Sequence, residues 1–403
     1  MRGTLNLLGI SVLALLGIGF ALLASASGVN GLRLHNDAYH FVFYQAVWLV
    51  LVAVPALLFM IFFDYHRWRR HTWLTIAAYV VVAILLCVVF GCREINGSHR
   101  WIIIGSLRLQ PSELAKIVSI LALGVFLDRA GWRIELFFKG ALPAACIFGV
   151  FCGLIIAETD LGSTVVIGLT GLAMLFVAGL KIVHLLLFGG LGGAVFVARV
   201  VSNANRLRRV VAWLPEEMMM KVVAYLHLPE IVMDEKAKNA AHQLNQALVA
   251  IQRGGLTGVG FCKSMQKQYY LPEAHTDFIF AIGAEEFGIV FSLILLALFT
   301  TFFVCGVRIA LRAPDRLGRL LAFGATFLIF FQALFNIGVV TGCLPTKGLA
   351  LPFISYGGTN LVTAMMAVGI LFNVGRRIEP SSNRPRRLAA SGERRENGNI
   401  QGV

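Results

Sequence analysis

Ten apolar runs, each close to twenty residues, punctuate this chain at roughly 5–24, 41–63, 73–91, 110–127, 140–157, 161–180, 182–201, 278–304, 320–340 and 358–374. A helix of about 20 apolar residues matches the hydrocarbon core of a bilayer. Lipid offers no partner to a bare peptide group, so only helices or a closed barrel can cross it. The runs are continuous and do not alternate in short segments, which selects helices over a barrel. The 403 residues are 58% hydrophobic and 14% charged, with mean hydropathy +0.78. No soluble core hides that much apolar surface. The expected fold is an all-α polytopic membrane protein of about ten transmembrane helices. The first run ends near Ala24-Ser25-Ala26 but exceeds the roughly 7–15 residues of a signal-peptide core, so it is expected to stay as the first helix.

The net charge of +14 is explained by orientation before nucleic acid. Basic residues gather in the short segments His66–His71, Asp128–Lys139, Lys181 and Arg308–Arg319, and in the C-terminal tail. Loops of that kind stay in the cytoplasm, which puts both termini inside. Residues 1–375 are then one transmembrane domain. Residues 376–403, with seven arginines against three glutamates among Pro, Ser, Gly and Asn, form a disordered basic tail near an anionic leaflet or a partner. The outside receives Arg93–Gln110, the long loop 202–277 and Thr341–Gly357. A loop as long as 202–277 is ordinarily functional. Its stretches Met218–Ile231 and Ala240–Gln252 are expected to lie as interfacial helices on the membrane. Of seven cysteines, Cys87, Cys146, Cys152 and Cys305 sit in apolar runs and read as small core residues, while Cys92, Cys262 and Cys343 fall outside, where a disulfide is an open option. No CxxC spacing supports a zinc or redox site, and no Walker or dinucleotide fingerprint occurs.

Polar groups at membrane depth mark function by default. Tyr270-Leu271-Pro272-Glu273-Ala274-His275-Thr276-Asp277 stands at the threshold of a run interrupted only by Glu285 and Glu286. A capping role at the interface is the plainer reading of His275 and Asp277. Glu113 and Lys116 share a helix face and can pair, either to brace the bundle or to face a water-filled cavity. Asp160, within Glu158-Thr159-Asp160-Leu161-Gly162-Ser163, reads as a helix cap. Arg206, Arg208 and Arg209 suit anionic headgroups or a phosphate. The glycines of Gln252–Gly260 permit tight turns or close approach to a ligand. Gly342–Gly348, including Lys347, and Leu351–Asn360, including Ser355, form an irregular segment that must be buried in protein or line a cavity. Gln332 and Asn336 present two amides on one face of the preceding helix.

Taken in order, Gly97-Ser98-His99-Arg100-Trp101, Gln110-Pro111-Ser112-Glu113, the Tyr270–Asp277 motif, Leu344-Pro345-Thr346-Lys347-Gly348 and Ser355-Tyr356-Gly357-Gly358 resemble the SEDS family (shape, elongation, division and sporulation; FtsW and RodA). The motifs look more like the FtsW type than the RodA type. Glu158-Thr159 stands where the family usually has Gln-Pro, and Thr359-Asn360 where it has two serines. The resemblance implies ten transmembrane helices in the bacterial cytoplasmic membrane and peptidoglycan glycosyltransfer. Lipid II would be polymerised outside the membrane, in division or shape maintenance, beside a class B penicillin-binding protein and other membrane proteins of the cell-wall machinery. It places the essential acid on Asp277 and the helix-four pair on Glu113 and Lys116, preceded by Arg100 and Trp101.

Chemically, Asp277 is then the candidate base for the acceptor 4-hydroxyl. Arg100, Lys116 and one or more of Arg206, Arg208 and Arg209, with Lys347 as a weaker candidate, would stabilise the departing pyrophosphate. His275, Trp101, Glu113 and Ser355 complete the expected substrate site. No cofactor is required, although a divalent cation (Mg or Mn) bridging Asp277 and pyrophosphate is an option. The rival readings are a lipid II flippase using Glu113, Lys116, Glu285 and Glu286, and a scaffold recruiting a transpeptidase.

Overall fold

The computed structural model describes residues 1–92, 99–104, 107–211, 213–214, 218, 235–268, 271–345 and 347–378. The stretch Met218–Ile231 beyond Met218 itself, the tail beyond Ile378, and Gly97, Ser98, Tyr270 and Thr346 of the motifs lie outside the described residues.

Helical segments occupy all ten expected places. They are α1 (Arg2–His35), α2 (His40–Phe62), α3 (Thr72–Gly91), α4 (Pro111–Ala130), α5 (Phe137–Ala157), α6 (Leu161–Val177), α7 (Ile182–Val201), α10 (Ile279–Arg312), α11 (Arg316–Val340) and α12 (Gly358–Arg376), with α8 (Ala204–Val211) and α9 (Glu235–Gly254) in the long loop. Among the described residues, eight of the ten are long and apolar enough to cross a membrane. The other two are α4, which carries charge, and the 17-residue α6. A short antiparallel hairpin, β1 (Ile102–Ile104) with β2 (Leu107–Leu109), pairs Ile103 with Arg108 and leads into α4, where Pro111 takes the first turn.

Burial orders the helices from centre to rim. Helix α4 is buried almost all round and packs on α3, α5, α6, α11 and α12. Most of the apolar window of α12 is buried, whereas none of that of α7 is. The interior helices are therefore buried on nearly every side, polar residues included, and α7 turns its apolar surface to lipid. Cys87 and Cys146 are exposed on the outside of the bundle, unlike the core positions expected; Cys305 alone of those four is fully buried. Cys92, Cys262 and Cys343 are free thiols.

At one end of the bundle the arginine-rich turns lock onto one another. Arg377 Nη2 lies 2.9 Å from Asp64 Oδ1, Tyr65 Oη donates to Asp315 Oδ1 at 2.5 Å, and Arg316 Nη2 donates to the Ala178 carbonyl at 2.9 Å. The opposite end carries the hairpin, the long loop and the α11–α12 connection.

The long loop is fastened to α10. Gly288 (φ 72°) breaks that helix, and there Val259 N and Gly260 N donate to the carbonyls of Glu285 and Glu286, each at 3.0 Å. A side chain at Gly258 or Gly288 would collide with the backbone of the facing segment. These glycines serve a backbone-to-backbone approach and not, as one option had it, a ligand. The two buried glutamates complete the fastening. Glu285 accepts from Met265 N (3.1 Å), Gln266 N (3.3 Å) and the Ser264 hydroxyl. Glu286 accepts from Lys267 Nζ (3.0 Å) and Ser25 Oγ (2.5 Å). Helix α9 also departs from expectation: it buries Leu244, Ala247 and Ala250 while packing on α10, where an interfacial helix would bury them in lipid.

Candidate active site

The Asp277 segment is held by its own main chain. Three successive carbonyls accept hydrogen bonds from α11 or the segment after it: His275 O from Tyr356 N (3.1 Å), Thr276 O from Ser355 Oγ (2.5 Å) and Asp277 O from Asn336 Nδ2 (2.8 Å). Asn336 Nδ2 also donates to Leu349 O at 2.6 Å, and Leu351 N donates to Ser355 Oγ at 2.8 Å. The Asp277 backbone is thus tied to a packed segment, and that anchoring sets where its carboxylate points. Gly348 makes room for that carboxylate, because a Cβ there would overlap Asp277 Oδ2.

Asp277 opens onto a cavity of about 830 Å³, also lined by Arg100, Trp101, Glu113, Asp160, Arg209, His275 and Lys347. Lys347 Nζ stands 3.8 Å from Asp160 Oδ1, and Asp160 caps α6 through Ser163 N (3.3 Å) and accepts from Ser163 Oγ (2.7 Å). The acids are tuned apart. Burial, reinforced by Glu273 and opposed by Arg100 and Arg209, lifts the Asp277 carboxyl to about 7. Burial also acts against ionisation of Asp160, but Arg100, Lys347 and the Ser163 hydrogen bond outweigh it and hold that carboxyl at about 2. Burial lowers the Lys347 ammonium to about 7 against the pull of Asp160. The cavity therefore sets Asp160, held as an anion, near a carboxyl (Asp277) and an ammonium (Lys347) that both change protonation near neutrality, with Arg100 and Arg209 in the same wall. Glu158, at the entrance to α6, has both carboxylate oxygens buried without a partner, and burial with the nearby Asp160 lifts it to about 8.

Of the residues singled out in the sequence, Asp277, Arg100, Trp101, Glu113, Arg209, His275 and Lys347 are brought together here. Lys116, Arg206, Arg208 and Ser355 do not line the cavity, so the expectation that they meet substrate directly is revised. Lys116 is 1% exposed, donates to Glu113 Oε1 at 2.7 Å and to Gln332 Oε1 at 2.9 Å. Gln332 Nε2 passes the connection to Ala350 O (2.8 Å) and Asn360 Oδ1 (2.9 Å), so the pair braces the α11–α12 segment. Arg206 donates to Arg199 O at 3.1 Å, and Ser355 acts through Thr276. Sequence reasoning passed over the α1–α2 turn, which supplies His35, His40, Phe41, Tyr44 and Trp48 to the wall. The alternation of inward His40, Phe41 and Tyr44 with outward Tyr39 and Phe43 was the available signal. Among the described residues no group of three or more His, Cys, Asp or Glu side chains is placed to hold a metal ion.

A multi-pass helical membrane protein built around a polar cavity with a neutral-range carboxyl is the class that fold and site define. The chain belongs to the FtsW/RodA/SpoVE family of cell cycle proteins, whose model matches residues 6–379. Stage V sporulation protein E of Bacillus subtilis is 38% identical, covering 92% of this chain and 96% of that protein. The probable peptidoglycan glycosyltransferase FtsW of Geobacter metallireducens is 35% identical over 91% and 93%. The crystal structure of the rod shape determining protein RodA of Thermus thermophilus matches with TM-score 0.62 at 25% identity, covering 93% of this chain and 97% of that one. A structure of a peptidoglycan synthase complex that coordinates polymerization and crosslinking matches with TM-score 0.70 at 28% identity over 92% and 96%.

Proposed function

We propose that this protein is a peptidoglycan glycosyltransferase that polymerises lipid II at the outer face of the cytoplasmic membrane and releases undecaprenyl pyrophosphate. The observation that carries the reading is Asp277: a carboxyl poised near 7 beside Arg100, Arg209 and Lys347 in one cavity. The acceptor 4-hydroxyl attacks the anomeric carbon of the lipid-linked donor. As the new C–O bond forms, its proton passes to the Asp277 carboxylate, and the bond to pyrophosphate breaks with its electron pair leaving on oxygen. Charge gathers on that oxygen, and preorganised cations stabilise it most as it develops. Arg100, Arg209 and Lys347 fill that role, with Asp160 holding Lys347. The arginine-locked end is cytoplasmic by the positive-inside rule, which directs the cavity outward.

The flippase reading loses support from the same structure. A transporter needs its intramembrane acids free to meet substrate or protons, but Glu285 and Glu286 are spent on holding the loop. The likeness to a synthase complex and the family resemblance support a class B penicillin-binding protein as partner. The similarity to FtsW and to stage V sporulation protein E supports a role of the FtsW type.

The test is purified protein with lipid II, with and without the cognate transpeptidase, comparing wild type with Asp277→Asn. Polymer from wild type alone supports the proposal, and polymer from the Asn variant removes Asp277 as base. Polymer from neither, even with the partner, turns the reading to transport, checked by lipid II flipping in liposomes. Addition of Mg²⁺ or Mn²⁺ against a chelator tests the bridging cation.

A further inference from the structure

The cavity has a second wall that the chemistry above leaves unused. The polypeptide turns between α1 and α2 at Asn36, a non-glycine residue in the left-handed region (φ 56°), and Tyr39 N donates to Asp37 Oδ1 at 2.9 Å. That turn sets His35 against His40, with ring centroids 3.6 Å apart and planes within 7°. His40 and Tyr44, four residues apart on one helix face, have centroids 4.6 Å apart. Phe41 meets His275 at 4.8 Å and Tyr356 at 5.1 Å. All six rings line the cavity.

The same helix turn separates two kinds of aromatic residue. Tyr39 and Phe43, also four apart, are 69% and 64% exposed and lie outside the cavity wall. Those two fit the aromatic belt that membrane proteins place at the headgroup level. A belt does not account for His40, Phe41 and Tyr44, whose rings are turned into a polar chamber. A lipid tail would call for aliphatic lining, but this wall mixes imidazole and phenol with aromatic carbon. It carries the features of a site for a rigid ring with apolar faces and hydroxylated edges, as small-ligand pockets are built: mostly aromatic, with a few placed polar groups.

We propose that His35, His40, Phe41 and Tyr44, with His275 and Tyr356, form a saccharide subsite that stacks a pyranose ring of the acceptor. The shelf serves the acceptor and not the donor for two reasons. The donor pyrophosphate belongs to the cations Arg100, Arg209 and Lys347. His275, whose ring packs on Phe41, is two residues from Asp277 in a segment pinned at three carbonyls, so a sugar on the shelf has the proton-accepting carboxylate beside it. This assignment rests on the glycosyltransferase reading for the word acceptor, while the binding of a sugar does not depend on it.

The experiment titrates full-length protein with a soluble N-acetylated amino-sugar disaccharide lacking lipid and phosphate, read by the fluorescence of Trp48 and Trp101 in the wall. Polymerisation of lipid II is measured on the same preparations. Wild type and Tyr39→Ala, whose ring lies outside the cavity wall, should bind the disaccharide equally. His40→Ala and Tyr44→Ala should each weaken it about three- to tenfold, the range for losing one aromatic contact, and raise the KM for lipid II more than they lower kcat. Tyr44→Phe, which keeps the ring, should restore binding and guards against an alanine variant that fails to fold. Equal affinity in Tyr44→Ala and wild type, or no binding by wild type, overturns the subsite. Shelf-dependent binding without polymer would leave the subsite standing and sink the glycosyltransferase reading. Polymerisation unchanged in His40→Ala and Tyr44→Ala would do the reverse.

Discussion

Replacing Asp277 by Asn should abolish polymerisation and at the same time make the protein more stable. The fold lifts this carboxyl from 3.8 to about 7, so it prefers the protonated form. The sign follows from linkage. Above the unfolded value the wild type loses stability as pH rises, and the loss stops growing once pH passes the folded value. Each pH unit of separation corresponds to about 1.4 kcal/mol. The penalty is therefore on the order of 1–2 kcal/mol near pH 5 and up to about 4 kcal/mol near pH 8. Asn carries no charge at either pH, has the same shape, and leaves the bond from Asn336 to the residue-277 carbonyl in place. Thermal unfolding of detergent-purified wild type and Asp277→Asn, at about pH 5 and about pH 8, is the assay. The variant should melt higher, and its advantage should widen toward the alkaline condition. A variant that melts below wild type near pH 8, or a gap that does not change with pH, would refute the account of Asp277 as an ionisable group held at a stability cost for function.

Gly348→Ala should cut polymerisation at least about tenfold with little change in expression, since the added Cβ falls on the Asp277 carboxylate and a displacement of about 1 Å at a reacting group has effects of that size; near-normal turnover would show that the carboxylate has room to move. Lys267→Met, which strands Glu286 in the interior, should destabilise by about 3–5 kcal/mol and loosen the loop, read as lower melting temperature and faster proteolysis between residues 255 and 270. Wild-type kcat should climb toward about pH 7 as Asp277 ionises and fall above it as the Lys347 ammonium, also held at about 7, gives up its charge, and a profile without the acidic limb would argue against Asp277 as base. Glu158→Gln should keep activity and raise stability, because burial lifts this unpartnered carboxyl to about 8 and it is already neutral at pH 7.

The sequence carried the span count, the helix-four ion pair, the Asp160 cap and seven of the residues that line the cavity, because each rests on local periodicity, on a motif or on a charge that a membrane makes costly. It did not carry the division of labour among the charges. Spacing shows that Glu113 and Lys116 can pair, but it does not show that Gln332 lies across from them and takes Lys116 out of the cavity. Glu285 and Glu286 looked like pathway residues because their partners, Ser25 and the Ser264–Lys267 segment, are close only after the chain folds back. The α1–α2 aromatics were missed for a related reason: between two apolar runs, aromatic side chains resemble an interfacial belt, and only the three-dimensional facing of His40 and Tyr44 separates wall from belt.

The placement of irregular backbone links fold to chemistry. The hairpin, the Asp277 segment and the α11–α12 segment are non-helical, and a lipid environment tolerates such backbone only where protein or a water-filled cavity satisfies it. Here side chains of regular helices meet backbone groups of each: Asn336 of α11 donates to the Asp277 and Leu349 carbonyls, Gln332 of α11 to the Ala350 carbonyl and Thr359 of α12 to the Arg108 carbonyl, while Gln45 Oε1 of α2 accepts from Gly357 N. A carboxyl held near neutrality, as the proposed base is, needs a fixed environment, since a freely moving carboxylate would find water and fall back toward 4. The amides of Gln45, Gln332 and Asn336 are therefore best regarded as the frame that keeps Asp277 where burial can act on it. This explains why an enzyme site made of loops sits on a bundle whose helices contribute buried amides at the depth of those loops.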